Sequence, residues 1–320
     1  MSTTTGGRKA WLNGLLFALT CLTVFAAGLI WSWGFLRTDP LPDLGLPALV
    51  ARLFGETGLY PLAGLYMAAL MTILLGHELG HYLTCRRYHV QATLPYFIPG
   101  LPFLGTFGAF IRMKSHVAFK HEIFDIGANG PLTGFLLTVP VLVAGLLFSR
   151  VVPMPASAQG AIAFGDPLLI TILSGFLVGP VPQGSMLNSH PLVAAGWVGL
   201  LVTAVNLFPI GKLDGGHISY AVFGRRAQGL SRLMMGLMAL MGLFFHVSWL
   251  IFAVVILVID HRSKTRLAHP PVFDEAAPLD AKRKVRSLAI AVIFVLSFIP
   301  EPVKGMGLLD LIKNPAGWLR

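Results

Sequence analysis

Apolar residues in this chain come in long runs separated by short polar and basic segments. Runs at roughly 11–36, 59–83, 124–149, 191–209, 228–245, 246–260 and 287–303 approach the roughly 20 residues that an α-helix needs to cross a bilayer. The pattern predicts an all-α polytopic membrane protein with about seven transmembrane helices. The fifth and sixth runs adjoin each other and predict a tight helical hairpin. The seventh stops at "IPEPV", where Glu301 and two prolines end the helix. A further apolar piece, 167–179, is too short to span comfortably and predicts an interfacial or partly inserted helix.

The stretch 92–113 is apolar but carries Pro95, Pro99 and Pro102, which forbid a regular helix. Its second half, "GTFGAFIRM", is rich in aromatic and β-branched residues. It predicts a small membrane-associated β-hairpin between the second and third spans. Three segments organise the chain: 1–58, a signal-anchor helix and outer loop; 59–220, a membrane core; and 221–320, C-terminal transmembrane helices with a cytoplasmic linker at 261–286.

Composition sharpens this reading. The chain is 55% hydrophobic and only 12% charged, against about 25% charged in a typical soluble domain. The formal net charge is +10. In a soluble protein that would suggest a nucleic-acid partner. Here the basic residues sit in short segments beside apolar runs, as in loops facing anionic lipid, so nucleic acid is excluded and the lipid bilayer is the partner. Between Val151 and Gly211 there is no Lys or Arg, whereas 84–90, 112–120, 212–232 and 261–286 are basic. The positive-inside rule then predicts a cytoplasmic N-terminus, seven crossings, an outer C-terminus and a place in the cell (inner) membrane. The run from Trp11 to Leu36 exceeds the apolar core of a signal peptide and is expected to stay uncleaved. Cys21 and Cys85 give no disulfide framework, and Cys85 is expected to be a small buried residue rather than a metal ligand.

One polar cluster breaks the apolar pattern. His77, Glu78 and His81 spell H-E-x-x-H at the cytoplasmic end of the second run. On a helix, positions i and i+4 share a face, so both imidazoles can bind one metal ion with Glu78 beside the open position. Ionisable residues inside a span are costly and mark function. A catalytic zinc site needs a third protein ligand. Asp214, in "NLFPIGKLDGGH" (206–217), supplies a carboxylate at the same expected depth. Gly215 and Gly216 follow it and allow a sharp turn and close backbone approach.

"HELGH" on an early span together with "NLFPIGKLDGG" on a later one resembles the site-2 protease family of intramembrane zinc metalloproteases, peptidase family M50. The second motif matches as Asn206, Pro209, Leu213, Asp214 and Gly215. The likeness extends over 59–220 and includes "PFLGTFGAFIRM" and "GANGPLTG". Asn129 departs from it, standing where a small residue is expected before Gly-Pro. The resemblance implies that His77, His81 and Asp214 hold one zinc ion, that Glu78 is the general base, and that Asn206 touches the substrate strand or the developing oxyanion. It implies hydrolysis of peptide bonds within the membrane, with single-span membrane proteins as substrates and the active site toward the cytoplasm.

The β-hairpin is expected to pair its edge with an extended substrate, because a helical substrate hides its peptide bonds. His217 follows Asp-Gly-Gly and is expected near the metal or at the surface rather than as a fourth ligand. His116, His121, His261 and His269 read as solvated loop residues, Met234, Met235, Met238 and Met241 as packing residues, and Gly134 as a site of close helix approach. A metal-ion transporter with the same ligands is the alternative, but the outward halves of spans two and four, "LYPLAGLYMAAL" and "PLVAAGWVGLL", offer no polar path. A non-catalytic relative would have no use for Glu78.

Overall fold

A computed structural model describes residues 4–37, 44–155, 164–263, 267 and 269–304. The expected outer C-terminus and parts of the outer loop and the linker lie outside the described residues. The elements in chain order are α1 (Thr4–Arg37), α2 (Leu46–Gly55), α3 (Tyr60–Arg87), β1 (Tyr96–Pro99), β2 (Thr106–Phe110), α4 (Lys120–Phe148), β3 (Arg150–Pro153), α5 (Leu168–Leu177), β4 (Ser185–Asn188), α6 (Pro191–Leu207), α7 (Asp214–Phe223), α8 (Ala227–Phe244), α9 (Val247–Ser263) and α10 (Ala281–Ser297).

Among the described residues, four stretches are long and apolar enough, by length and composition, to cross a membrane: Ala10–Arg37, Thr57–Arg87, Lys120–Phe148 and Asp214–Phe244. The last joins α7 and α8 through a 3-10 turn at Gly224–Arg226, where Gly224 takes φ 59°. Leu168–Leu177, Pro191–Leu207 and Val247–His261 are apolar but shorter. The expected spans thus fall partly on these four long stretches and partly on shorter helices. α6, α9 and α10 have 17 residues each, about 25 Å of helix at 1.5 Å per residue.

By contacts the chain divides into two compact units, one of residues 1–115, 132–161 and 169–202, the other of 116–131, 162–168 and 203–320. In the first unit, α1 crosses α3 closely: a Cβ on Gly28 would lie 2.7 Å from the Ala63 carbonyl oxygen. Leu29, Trp33, Leu53, Leu59 and Ala63 form the buried cluster beside that crossing. Small residues let apolar helices approach where lipid gives no hydrophobic drive. Gly76 meets Leu137, Gly196 meets Leu142, and Gly199 meets Thr138 and Ile73 in the same way.

The expected hairpin is present. β1 pairs antiparallel with β2, Tyr96 opposite Phe110 and Ile98 opposite Gly108, with a bulge before Pro99. Asn13 on α1 donates to the carbonyls of Leu94 and Pro95, and Thr23 to that of Gly105, so the hairpin is fastened to the first helix. A second hairpin pairs β3 with β4, Arg150 opposite Asn188. The segment 167–179 contains the ten-residue helix α5.

In the second unit, α8 and α9 form the expected hairpin across two residues, and a Cβ on Gly242 would strike the backbone of Leu250 at 2.6 Å. Met235 and Met238 are buried there with Phe208, Trp249 and Ala253, and Met234 and Met241 pack against them, as expected. The linker is more built than its polar sequence suggests. Helix α9 runs to Ser263, and α10 begins at Ala281, where the Asp280 side chain caps it by accepting from the Arg283 backbone N–H at 3.0 Å. Arg283 also pairs with the buried carboxylate of Asp125 on α4, and Arg286 donates to Asp125 and, at 2.7 Å, to the Asn129 amide oxygen. The residue that departs from the family pattern thus has a partner on α10.

Candidate metal centre

The first half of the site lies on α3. This helix has 28 residues and closes after Arg87, where His89 takes φ 56° and the Val90 N–H returns to the Cys85 carbonyl at 2.8 Å. Its four-residue spacing puts His77 and His81 on one face. Their Nε2 atoms are 3.2 Å apart, and the rings meet edge to face with centroids 4.9 Å apart. His77, Glu78 and His81 are all buried, at 3%, 4% and 5% exposure. Gly134 on α4 explains how the His77 ring fits, since a Cβ there would lie 3.0 Å from His77 Nδ1. Cys85 is buried, in keeping with a packing role.

The second half surrounds the start of α7. Asn206 lies in the last turn of α6, half-buried, and Asp214 is the first residue of α7, also half-buried. The positive end of the helix dipole favours a carboxylate there. The sharp turn falls at Gly211, with φ 51°, rather than at Gly215 and Gly216. The two later glycines serve close approach. A Cβ on Gly215 would overlap the Leu207 carbonyl and one on Gly216 the Gly211 carbonyl. Ser231 on α8 holds the turn by donating to the Pro209 carbonyl at 3.1 Å and accepting from the Gly211 N–H at 3.3 Å.

Sequence reasoning placed His269 in solvent. It is instead half-buried, with Nε2 3.0 Å from His217 Nδ1 and its ring stacked on Tyr220 at 4.4 Å between centroids. Burial is the main cause that pushes the His269 pKa down, and the charges of His116 and Lys212 push the same way. Tyr220 donates to Glu275, which also accepts from Arg225 at 3.1 Å. The Arg225 hydrogen bond holds the Glu275 carboxyl below its ordinary value. A His fifty-two residues from its partner leaves no local sequence signal.

His77 and His81 offer imidazoles and Asp214 a carboxylate, donor types that suit a divalent metal. The pair on α3 fits zinc in its spacing as well. Zn–N bonds of about 2.0–2.1 Å at a tetrahedral angle put two nitrogens about 3.3 Å apart, close to the separation of the two Nε2 atoms.

Residues 65–249 match the family model described as Peptidase family M50. The chain belongs to peptidase family M50. Among the similar proteins, "Probable zinc metalloprotease EGY2, chloroplastic" of Arabidopsis thaliana is 30% identical over 87% of this chain and 49% of its own length. "Probable zinc metalloprotease EGY1, chloroplastic" of the same plant is 31% identical over 76% of this chain and 44% of its own. The EGY2 protein of Oryza sativa subsp. indica is 32% identical over 58% and 34%. The chain therefore spans about a third to a half of the length of these curated relatives. No solved structure matches it.

Proposed function

We propose that this M50 chain is an intramembrane zinc metalloprotease that hydrolyses peptide bonds within or near the transmembrane segment of membrane-protein substrates. His77, His81 and Asp214 hold the zinc ion in this reading. The observation that carries it is the buried pair of imidazole nitrogens on α3, spaced to suit zinc, with Glu78 directly after the first of them in the chain. The names of the plant relatives support the metal and the reaction.

Zinc, when bound, polarises the scissile carbonyl and acidifies water. Glu78 takes the proton from the attacking water and passes it to the leaving amine, the role of a positioned general base and acid. Asn206 offers an amide to the substrate strand. The two-stranded hairpin leaves edges unpaired, where an extended substrate could add a strand. The proposed substrates are single-span membrane proteins. The proposed topology has seven crossings, made by α1, α3, α4, α6, α8, α9 and α10, with the N-terminus and the active site on the cytoplasmic side of the cell membrane. The absence of Lys and Arg from Val151 to Gly211 supports that orientation.

Purified wild type and Glu78→Gln, compared in detergent on a labelled single-span substrate with metal analysis of both, test the proposal. Cleavage by wild type alone, with zinc in both proteins, is expected. Equal cleavage by the two would end it.

A further inference from the structure

The first turn of α7 is weak by its own sequence. No side chain caps it at Leu213, and Gly215 and Gly216 occupy its next positions. Each glycine costs a helix about 1 kcal/mol relative to alanine. The residue whose placement matters most for the proposed metal site is therefore on a turn that cannot hold itself in place.

Two neighbours grip that turn. The first is α4. A Cβ on Gly127 would lie 2.9 Å from the His217 Cβ and 3.1 Å from the Asp214 carbonyl oxygen, so the helix backbone of α4 rests directly on the turn. The second is the strap at 269–279. His269 reaches His217, one turn beyond Asp214, and stacks on Tyr220, one turn further along the same strip of the helix. Glu275 receives the Tyr220 hydroxyl at 3.2 Å and the Arg225 guanidinium. The strap touches α7 and α8 around a cavity of about 290 Å³, so its hold on α7 comes from these polar and ring contacts more than from close packing.

The strap is itself anchored. The Phe273 N–H donates to the Ala118 carbonyl at 3.0 Å, and the Lys120 N–H to Asp274 Oδ1 at 2.8 Å. Lys120 Nζ reaches the Ala277 carbonyl at 3.0 Å, and the His116 ring donates to the Pro271 carbonyl at 3.2 Å. All four anchors lie in or just before the first turn of α4. The tautomers are fixed as well. His269 Nδ1 lies 2.7 Å from the Pro270 carbonyl, which only accepts, so Nδ1 carries the hydrogen. In the neutral ring, Nε2 must then accept, and His217 Nδ1–H donates to it.

We infer that His269 and Glu275 are positioning residues: through His217, Tyr220 and Arg225 they clamp the first turn of α7 and so fix the Asp214 carboxylate for metal binding. The inference rests on Asp214 as a zinc ligand. The strap is a brace across α7 rather than a mere connection between two helices.

The test uses the full chain in detergent and measures zinc affinity by competition with a chromophoric chelator. Hydrogen exchange of 214–223 in the zinc-free protein is the second readout. The proteins are wild type, Asp214→Ala, His269→Ala, His269→Gln and Glu275→Gln. The clamp predicts that His269→Ala weakens zinc binding by about 10–100-fold, the size of effect seen when groups supporting a metal ligand are removed. It also predicts faster exchange at 214–223. Glu275→Gln should move both readouts the same way by less, and the His269→Gln amide, which can accept from His217, should recover part of the loss. A merely structural role would lower the melting temperature while the folded protein kept its zinc affinity and exchange pattern. If His269→Ala does not fold, His269→Gln and Glu275→Gln decide between the clamp and the merely structural role by the same two readouts. Wild-type affinity and exchange in the His269 and Glu275 variants, with zinc binding weakened in Asp214→Ala, would overturn the clamp alone. Undiminished zinc affinity in Asp214→Ala would instead overturn the assignment of Asp214 as a ligand.

Discussion

Helix α3 and the start of α7 carry the same proposed chemistry but are built in opposite ways. In α3 the two imidazoles and Glu78 ride on one uninterrupted helix of 28 residues, and their relative placement follows from helix geometry alone. Asp214 begins a ten-residue helix with two glycines in its first turn. Its place depends on Ser231 beneath the preceding turn, Gly127 against its backbone and the strap across it. The side chains on α3 are placed by their own helix backbone, whereas Asp214 is placed by what touches its turn.

This contrast can be broken or sharpened experimentally. The largest effect belongs to Glu78→Gln, which should lower cleavage by about 10²–10⁴-fold, the usual contribution of a general base. Zinc content measured by atomic absorption should not change. Next comes Gly216→Ala. The added Cβ would overlap the Gly211 carbonyl, which is backbone and cannot swing away. A loss of about 1–3 kcal/mol is expected from such overpacking, read from denaturation in detergent, together with weakened zinc binding.

A matched pair of alanines compares the two halves directly. Gly127→Ala would press on the Asp214 carbonyl, whereas Gly134→Ala would press on the His77 ring, a side chain that can tilt. Gly127→Ala should therefore weaken zinc binding more than Gly134→Ala in the same chelator competition. Equal effects would erase the distinction between the two halves.

The smallest effect is a pH dependence. His269 has its pKa lowered mainly by burial, with His116 and Lys212 adding to it and the Pro270 carbonyl opposing it. The unfolded chain then binds the proton more readily than the folded one. Stability from the neutral ring is present above the ordinary imidazole value of about 6.5 and is lost as pH falls through the lowered folded value. Around this ring stand His217, Tyr220 and Glu275 as well. The difference in melting temperature between wild type and His269→Phe should narrow from pH 7.5 to pH 5.5. A constant difference would show that the ring does not titrate in this range.

The two halves also differed in how far they could be read from sequence. H-E-x-x-H is local, so spacing alone gave the shared face of His77 and His81. Asp214 needed an argument about a missing ligand and about depth. His269 was misjudged because its partners, His217 and Tyr220, come from another helix, and a polar linker looks solvated until the fold closes over it. Asn129 looked like a flaw in the motif because Arg286, which it binds, is 157 residues away. The apolar runs located most of the longer helices, and the Pro-rich stretch gave its hairpin, but α10 starts and ends about six residues before its apolar run, and α2 and α7 carry no such run. Helix length was less legible, since α6, α9 and α10 are shorter than the four long stretches.

The two-residue link between α8 and α9 has a wider consequence. A link so short returns the chain to the end it left, so the pair is an even number of passes whatever their depth. The residues before α8 and those after α9 therefore emerge together. That parity brings Leu267 within packing distance of Gly211 and lets a segment so late in the chain reach the turn on which Asp214 sits. Lengthening either helix by a half-turn would carry that segment round to the wrong side of its target.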